Sequence, residues 1–273
     1  AWPAHVAINL VVVYEEGSEA SVRWGDDRNE GWGEYPDAGP QPPAPDLGTE
    51  GHYDYGARAG IWRIARIVDA AGVPATLSAT ATALELNPPV ADWMRERGHD
   101  LLGHGWRWIP PWRLGEDEER AHLARAVETY ERVCGVRPIG WNSPYSASAA
   151  TRRLLVEEGG FLYDSDPCDD DLPHWVEVDG QPLLVVPYSK SYNDSRYLAS
   201  PGFGSPRDHL DLLVMGVDQL AREARPALMT VVVHARWTGQ AARAAALRGF
   251  VEHAAALPGV AFMRRDDIAR HWL

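Results

Sequence analysis

Carboxylate and imidazole side chains follow apolar runs at several points of this chain. In an α/β fold those are the positions where a buried sheet offers a few polar groups at one edge. Glu15 and Glu16 follow the run His5–Tyr14. His104 stands between Gly103 and Gly105, with Trp106 and Trp108 just after it. His234 follows Val231-Val232-Val233 and precedes Ala235-Arg236-Trp237. Between them come Trp141-Asn142-Ser143-Pro144-Tyr145, then Tyr163-Asp164-Ser165-Asp166, then Tyr188 and Asn193-Asp194. Carboxylates and imidazoles together can activate a water, polarise a carbonyl and protonate a leaving group. The indole and phenol rings among them can wall a small planar group.

Each assignment competes with a plainer one. Neighbouring residues of a strand point to opposite faces, so one of Glu15 and Glu16 is expected to face the interior. Glu16 is assigned as the base and Glu15 as a substrate contact; solvated charges before a turn are the alternative. His104 and His234 could be satisfied by backbone. Apolar strands deliver both, and the glycines beside His104 permit close backbone approach, which favours function. The catalytic set is therefore Glu16, His104 and His234. The substrate-facing set is Glu15, Arg58, Trp106, Trp108, Asn142, Tyr145, Asp166 and Trp237. Arg58, or Arg63 in its place, would anchor a substrate carboxylate or support the acidic pair. Asp169-Asp170-Asp171 reads as a solvated turn, and His52, His122, His209 and His253 as surface residues. Cys134 and Cys168 make no disulfide framework and are expected to be reduced.

The elements that must position these groups alternate. Strands are predicted at His5–Tyr14, Ala75–Thr80, Asp100–Gly103, Pro138–Trp141, Phe161–Tyr163, Leu183–Pro187, Leu228–Val233 and Val260–Met263. Helices are predicted over 58–71 with Gly72 as C-cap, and at Val90–Arg97, Glu116–Cys134, Ala149–Glu158, Pro206–Glu223, Ala241–Ala256 and Asp266–Leu273. Such alternation implies one α/β domain over 1–273, a distorted (β/α) barrel of about seven or eight parallel strands. Residues 25–51, rich in Gly, Pro and Asp, read as a long loop serving as a lid or an intersubunit arm.

Composition narrows the partners. With 273 residues, 26 Lys plus Arg and 39 Asp plus Glu, the net charge is −13. That argues against nucleic acid, which needs a clustered basic surface. There is no apolar run of about 18 residues, so no membrane span is expected. Without a signal-peptide pattern, a cytoplasmic location is expected. Neither GxGxxG after the first strand nor a Walker A pattern occurs. The 12 Trp against 4 Phe fit stacking on a small ligand ring, or a Trp-heavy core.

Taken together, Tyr14–Gly17 (YEEG), Tyr55–Arg63, His104–Ile109 (HGWRWI), Thr151–Pro173, Val185–Tyr188, Asn193-Asp194, His234–Gly239 (HARWTG) and Arg264–Trp272 resemble the polysaccharide deacetylase superfamily with NodB-like homology. The nearer likeness is to its allantoinase-like, metal-independent branch. The resemblance covers nearly the whole chain and implies a distorted barrel, hydrolysis of C–N amide bonds and a homo-oligomer, with a tetramer favoured. Metal-dependent members carry Asp-Asp after the first strand and His-x-x-x-His later. Here the pair is Glu15-Glu16, and the second histidine position, 104 + 4 = 108, is Trp108. Trp cannot be a ligand, so no cofactor is expected, although zinc held by other ligands such as His234 or an Asp stays open. The Asn142–Tyr145 segment lacks the arginine that the allantoinase-like pattern implies, so the substrate need not be allantoin. The expected activity is hydrolysis of a small linear or cyclic amide, imide or ureide. The alternatives are a metal-dependent N-deacetylase of an amino sugar, a member recruited to biosynthesis, and a non-catalytic binding protein.

Overall fold

The apolar run near the start of the chain forms β1 (Val6–Tyr14), whose nine residues are all buried. Continuous apolar character of this kind marks a strand covered on both faces. The computed structural model describes residues 5–31, 44–223 and 225–273. Much of the expected 25–51 loop, including Trp32, lies outside the described residues. At its end, Asp46 accepts hydrogen bonds from the Gly48 and Thr49 N–H groups. That cap starts α1 (Leu47–Tyr55) inside the range expected to be loop, because an Asx cap satisfies amides that a helix start leaves free.

The strands that follow are β2 (Thr76–Ala79), β3 (Asp100–Gly103), β4 (Gly140–Trp141), β5 (Tyr163–Asp164), β6 (His174–Val178), β7 (Gln181–Val185), β8 (Ala227–His234) and β9 (Val260–Phe262). Their order is β6-β7-β5-β4-β3-β2-β1-β8, with β9 also on β1. β8 pairs along β1 from Val6 to Val13. β9 pairs with Val6–Ile8 and β2 with Val11–Tyr14. Asn9, between those two stretches, donates to Thr76 Oγ1 and to the Met263 carbonyl. All pairings are parallel except the β6–β7 hairpin. That hairpin was not expected. Its two-residue turn, Asp179-Gly180, holds both residues at positive φ, as a tight hairpin requires.

Among the described residues no ladder joins β8 to β6, so the sheet curls into a barrel left open at one seam. Connecting segments bridge that seam: Leu228 N–H donates to the Asp171 carbonyl and Val232 N–H to the Tyr192 carbonyl.

The helices cover the outside. α1 runs through a π-helical turn, Gly56–Gly60, into α2 (Ile61–Ala71), which Gly72 ends in the left-handed region. Then come α3 (Ala81–Leu86), α4 (Pro88–Glu96), α5 (Glu116–Cys134), α6 (Thr151–Glu158), α7 (Pro206–Arg222), α8 (Ala241–Ala255) and α9 (Arg265–Trp272). The main core lies between sheet and helices. A smaller cluster of Ala7, Leu102, Tyr163, Leu184, Val186, Leu228, Ile268 and Ala269 brings α9 against the sheet. Each large apolar side chain buried this way contributes about 1.5–3 kcal/mol. Among the described residues no helix is long and apolar enough to cross a membrane. Cys134 and Cys168 are both free thiols.

Candidate active site

Both strands of the β1–β8 ladder deliver chemistry at the same end. Glu15 lies just past β1, and His234 ends β8. With His104, just past β3, they line a cavity of about 390 Å³. Trp108, Asn142, Tyr145, Asp166 and Trp237 line it too. Six of the eight residues expected to face a substrate, with Glu15 among them, therefore line one cavity.

His104 is fixed from both ring nitrogens. Nδ1 lies 2.7 Å from the Asn142 carbonyl oxygen, and Nε2 lies 2.9 Å from Glu15 Oε1. Two acceptors face the ring, and it satisfies both fully only when both nitrogens carry hydrogen. The flanking glycines are required. A Cβ on Gly103 would meet the Trp141 ring at 2.7 Å, and Gly105 has φ +91 with Pro144 Cγ 2.8 Å from a Cβ position.

The acidic pair differs from expectation. Glu15 and Glu16 lie beyond the last residue of β1, where strand alternation no longer applies, and both are buried. Glu15 reaches the cavity. Glu16 turns behind it, bonds back to the Glu15 N–H at 2.8 Å, and packs where a Cβ on Gly56 would come within 2.5 Å of its Oε1. Of the pair it is Glu15, and not the expected Glu16, that lines the cavity. Gly56 and Gly60 let the π-helical turn approach this closely, and π-turns recur at functional sites.

Arg236, two residues past His234, is a component that sequence reasoning missed. It is fully buried, with Nη1 2.7 Å from Glu15 Oε2 and 3.7 Å from Glu16 Oε1. Tyr53, Trp237 and Trp108 surround its guanidinium at 4.5, 4.2 and 5.2 Å. The contact to Glu15 is a close ion pair whose N–H direction falls outside hydrogen-bond alignment, and among the described residues all three guanidinium nitrogens lack an aligned acceptor. Burial works to raise the Glu15 carboxyl, but Arg236 and the His104 bond outweigh it and hold it down to about 2. Burial pushes Glu16 up to about 7, Arg236 opposing and Glu15 adding to the rise.

Asp194, singled out in the sequence with Asn193 but given no role there, is the second further component. Its Oδ1 lies 2.6 Å from His234 Nδ1, and its Oδ2 accepts from His234 N–H, Thr238 N–H and Thr238 Oγ1 at 2.8, 3.2 and 2.6 Å. Burial would raise this carboxyl, but the His234 and Thr238 contacts keep it below its usual range. With Nδ1 held by a carboxylate, His234 has Nε2 to present to the cavity it lines.

The walls are aromatic. Trp108 stacks on Tyr145 with centroids 4.3 Å apart, and Trp237 lies 4.4 Å from the His234 ring. Tyr145 takes φ 62, and its hydroxyl donates to Glu30 Oε2 at 2.5 Å. Non-glycine residues at positive φ are held there by their surroundings. Asp166 accepts from Ser143 N–H, Ser143 Oγ and Asn142 Nδ2.

Two expected contacts lie elsewhere. The Arg58 side chain is 79% exposed and pairs with Asp54 one turn away on the helix. Trp106 lies half-buried against the main core and not in the cavity lining, edge-on to His122 and under Arg125 at 3.6 Å. The histidine expectation also needs correction. His52 and His209 are buried, and His209 stacks on Phe203. His122 and His253 are half-buried, the latter 2.8 Å from Asp218.

The donor set does not fit the divalent metal that the broader superfamily implies. Trp108 offers no lone pair, both His104 nitrogens are engaged, and a buried guanidinium already sits on Glu15. Among the described residues no three His, Cys, Asp or Glu side chains are grouped to hold a metal.

Comparisons with known proteins agree with this fold. The sequence pattern of the family "Polysaccharide deacetylase" matches residues 52–163. A Schizosaccharomyces pombe protein described as "Putative polysaccharide deacetylase" is 31% identical, over 99% of this chain and 92% of its own. The crystal structure of PuuE allantoinase superposes with TM-score 0.94 at 39% identity, over 99% of this chain and 92% of that one. That of a probable polysaccharide deacetylase from Pseudomonas aeruginosa PAO1 gives TM-score 0.93 at 38% identity, covering 98% of this chain and 91% of that one.

Proposed function

The chain belongs to the polysaccharide deacetylase family, and from that membership and the site geometry we propose that it hydrolyses a non-peptide carbon–nitrogen bond in a small linear or cyclic amide, imide or ureide. The observation that carries this reading is the convergence of two held histidines and one ionised carboxylate on a single aromatic-walled cavity. A cavity of this size suits a small molecule. The likeness to PuuE allantoinase supports a ureide-type substrate. A metal-independent reaction, a cytoplasmic location and a homotetrameric assembly are parts of the same proposal.

His234 Nε2 accepts a proton as water oxygen attacks the carbonyl carbon. It returns that proton to the leaving nitrogen as the C–N bond breaks, so the product gains one water. Asp194 holds the ring in the required tautomer and offsets the transient imidazolium charge. Glu15 stays ionised beside Arg236 and, held by His104, orients the water. Trp108, Tyr145 and Trp237 hold the planar group and keep bulk water out, which strengthens the electrostatics within.

The test is a panel of amides and ureides assayed by mass spectrometry for gain of water, with Glu15→Gln and His234→Ala. Each variant is expected to lose about 10²–10⁴ in turnover. Full activity in both, after chelation and in a fold that still melts cooperatively, would overturn the reading. Activity that disappears on chelation and returns with zinc would move it to the metal-dependent N-deacetylase.

A further inference from the structure

The carboxylates in and behind the cavity are answered from within the protein. Arg236 and His104 face Glu15, and His234 and Thr238 hold Asp194. Asp166 sits among Ser143 and Asn142 donors. Two cations that line the same cavity have no carboxylate partner among the described residues. Lys190 follows β7, and Arg196 lies in the short 3₁₀ turn Asp194–Tyr197. Arg196 is half-buried. Its Nε is buried with no hydrogen-bond partner among the described residues, Nη2 reaches the Pro201 carbonyl at 3.4 Å, and the guanidinium lies 5.6 Å over the Phe203 ring. Lys190 is exposed, and it is the single lysine of a chain whose Lys plus Arg count is 26. The acidic run beyond it is engaged in part: Asp171 pairs with Arg225 and Asp169 with His174.

A protein of net charge −13 repels anions at long range. An anionic ligand therefore needs local cations at the place where it binds. A planar guanidinium fork beside a flexible ammonium suits a carboxylate, one group giving geometry and the other charge.

We propose that Lys190 and Arg196 form an anion subsite of the catalytic cavity, so that the hydrolysed amide or ureide carries a carboxylate. This inference rests on the hydrolase reading for its substrate class, but its test separates the two.

Calorimetric binding is measured for matched pairs that differ only in charge: hydantoin-5-acetate with hydantoin-5-acetamide, and N-carbamoylglycine with N-carbamoylglycinamide. The carboxylate member is expected to bind about tenfold tighter, with the advantage shrinking as salt rises. In the Lys190→Gln/Arg196→Gln double variant the ratio falls to near one. Lys190→Gln alone, at an exposed side chain, lowers it part of the way and covers any disturbance of the short turn by the second change. Arg222→Gln, on an exposed stretch of α7 with its side chain 72% exposed, leaves the ratio as it is. A ratio near one in the wild type, a ratio that survives the double variant, or no binding of either carboxylate would each overturn the subsite. Water gain is read separately. Tight carboxylate binding without turnover anywhere on the panel sinks the hydrolase reading and leaves the anion subsite standing.

Discussion

Among the described residues two arginines are fully buried, and their surroundings are opposite. Arg265, at the start of α9, reaches into the barrel interior. Its Nε donates to Ser165 Oγ, Nη1 to Asn9 Oδ1 and Thr230 Oγ1, and Nη2 to the Val186 and Pro187 carbonyls, at 2.6–3.3 Å. All those acceptors are neutral, and burial lowers its basicity. Arg236 is equally buried but has carboxylates and ring faces around it and no aligned acceptor among the described residues. Burial works against its charge too, but Tyr53, Glu15 and Glu16 outweigh that and raise its basicity. A charge enclosed by satisfied neutral dipoles ties strands together. One held against carboxylates, with hydrogen-bonding capacity unspent, sets the ionisation of its neighbours. The first belongs to stability and the second to the site.

The widest separation between the two should come from removing each in turn. Arg265→Met takes the donor from Asn9 Oδ1, Ser165 Oγ and Thr230 Oγ1, across segments as distant in sequence as Asn9 and Thr230, while the Val186 and Pro187 carbonyls keep only the Ser165 and Thr230 hydroxyls. It is expected to cost about 3–5 kcal/mol of unfolding free energy in urea, with turnover per folded molecule largely kept. Arg236→Met is expected to do the reverse. Turnover falls by about 10²–10³ while cooperative melting persists, because Glu15 and Glu16 can take protons once the guanidinium is gone. If both variants lost stability and activity in the same proportion, the division would fail.

Much of this arrangement was legible beforehand, and the parts that were not share a cause. The apolar runs of β1 and β8 placed Glu15 and His234 at one end of a parallel sheet, and glycines marked His104. These are local signals, carried by a few adjacent residues. Asp194 and Arg236 were written in the sequence next to recognised positions, but their roles depend on partners 40 and more than 200 residues away. No periodicity encodes such a pairing. The choice between Glu15 and Glu16 failed because it borrowed the two-face rule of a strand for residues past the strand's end. Trp106 and Arg58 failed for orientation: a loop turned one ring against the main core, and the helix phase at a π-turn put the guanidinium in solvent. The Asp179-Gly180 turn was a usable hairpin signal that went unread.

Acid–base behaviour separates the members of the Arg236 cluster from one another. Glu16 is raised from 4.5 to about 7 on folding. Its contribution to stability is fully present below about pH 4.5 and is lost as pH rises through about 7. Glu15, held down to about 2, contributes above its unfolded value of 4.5, and that contribution is lost as pH falls through about 2. The two windows do not overlap. Glu16→Gln is therefore expected to flatten the stability profile between about pH 5 and 8, by roughly 1–3 kcal/mol across that range. Its effect below pH 4 should be small. Urea midpoints taken at several pH values would show this. An unchanged slope would mean that Glu16 is not desolvated behind Arg236.

A third arginine sets the floor for these effects. Arg58 occupies the π-helical turn that packs on Glu16, so in sequence it looks close to the site. In space its guanidinium is in solvent, 3.1 Å from an Asp54 carboxylate that is itself 53% exposed. An exposed pair of this spacing gains little, because water screens the attraction and two long side chains lose freedom to make it. Arg58→Ala is expected to change unfolding free energy by less than about 0.5 kcal/mol and to leave kcat/KM within about twofold, the equivalent of that small energy. The measurement distinguishes position along the helix from position in the cavity. A tenfold loss of activity would mean that the turn swings Arg58 inward when substrate binds, so that a third cation would have to join Lys190 and Arg196 in facing it.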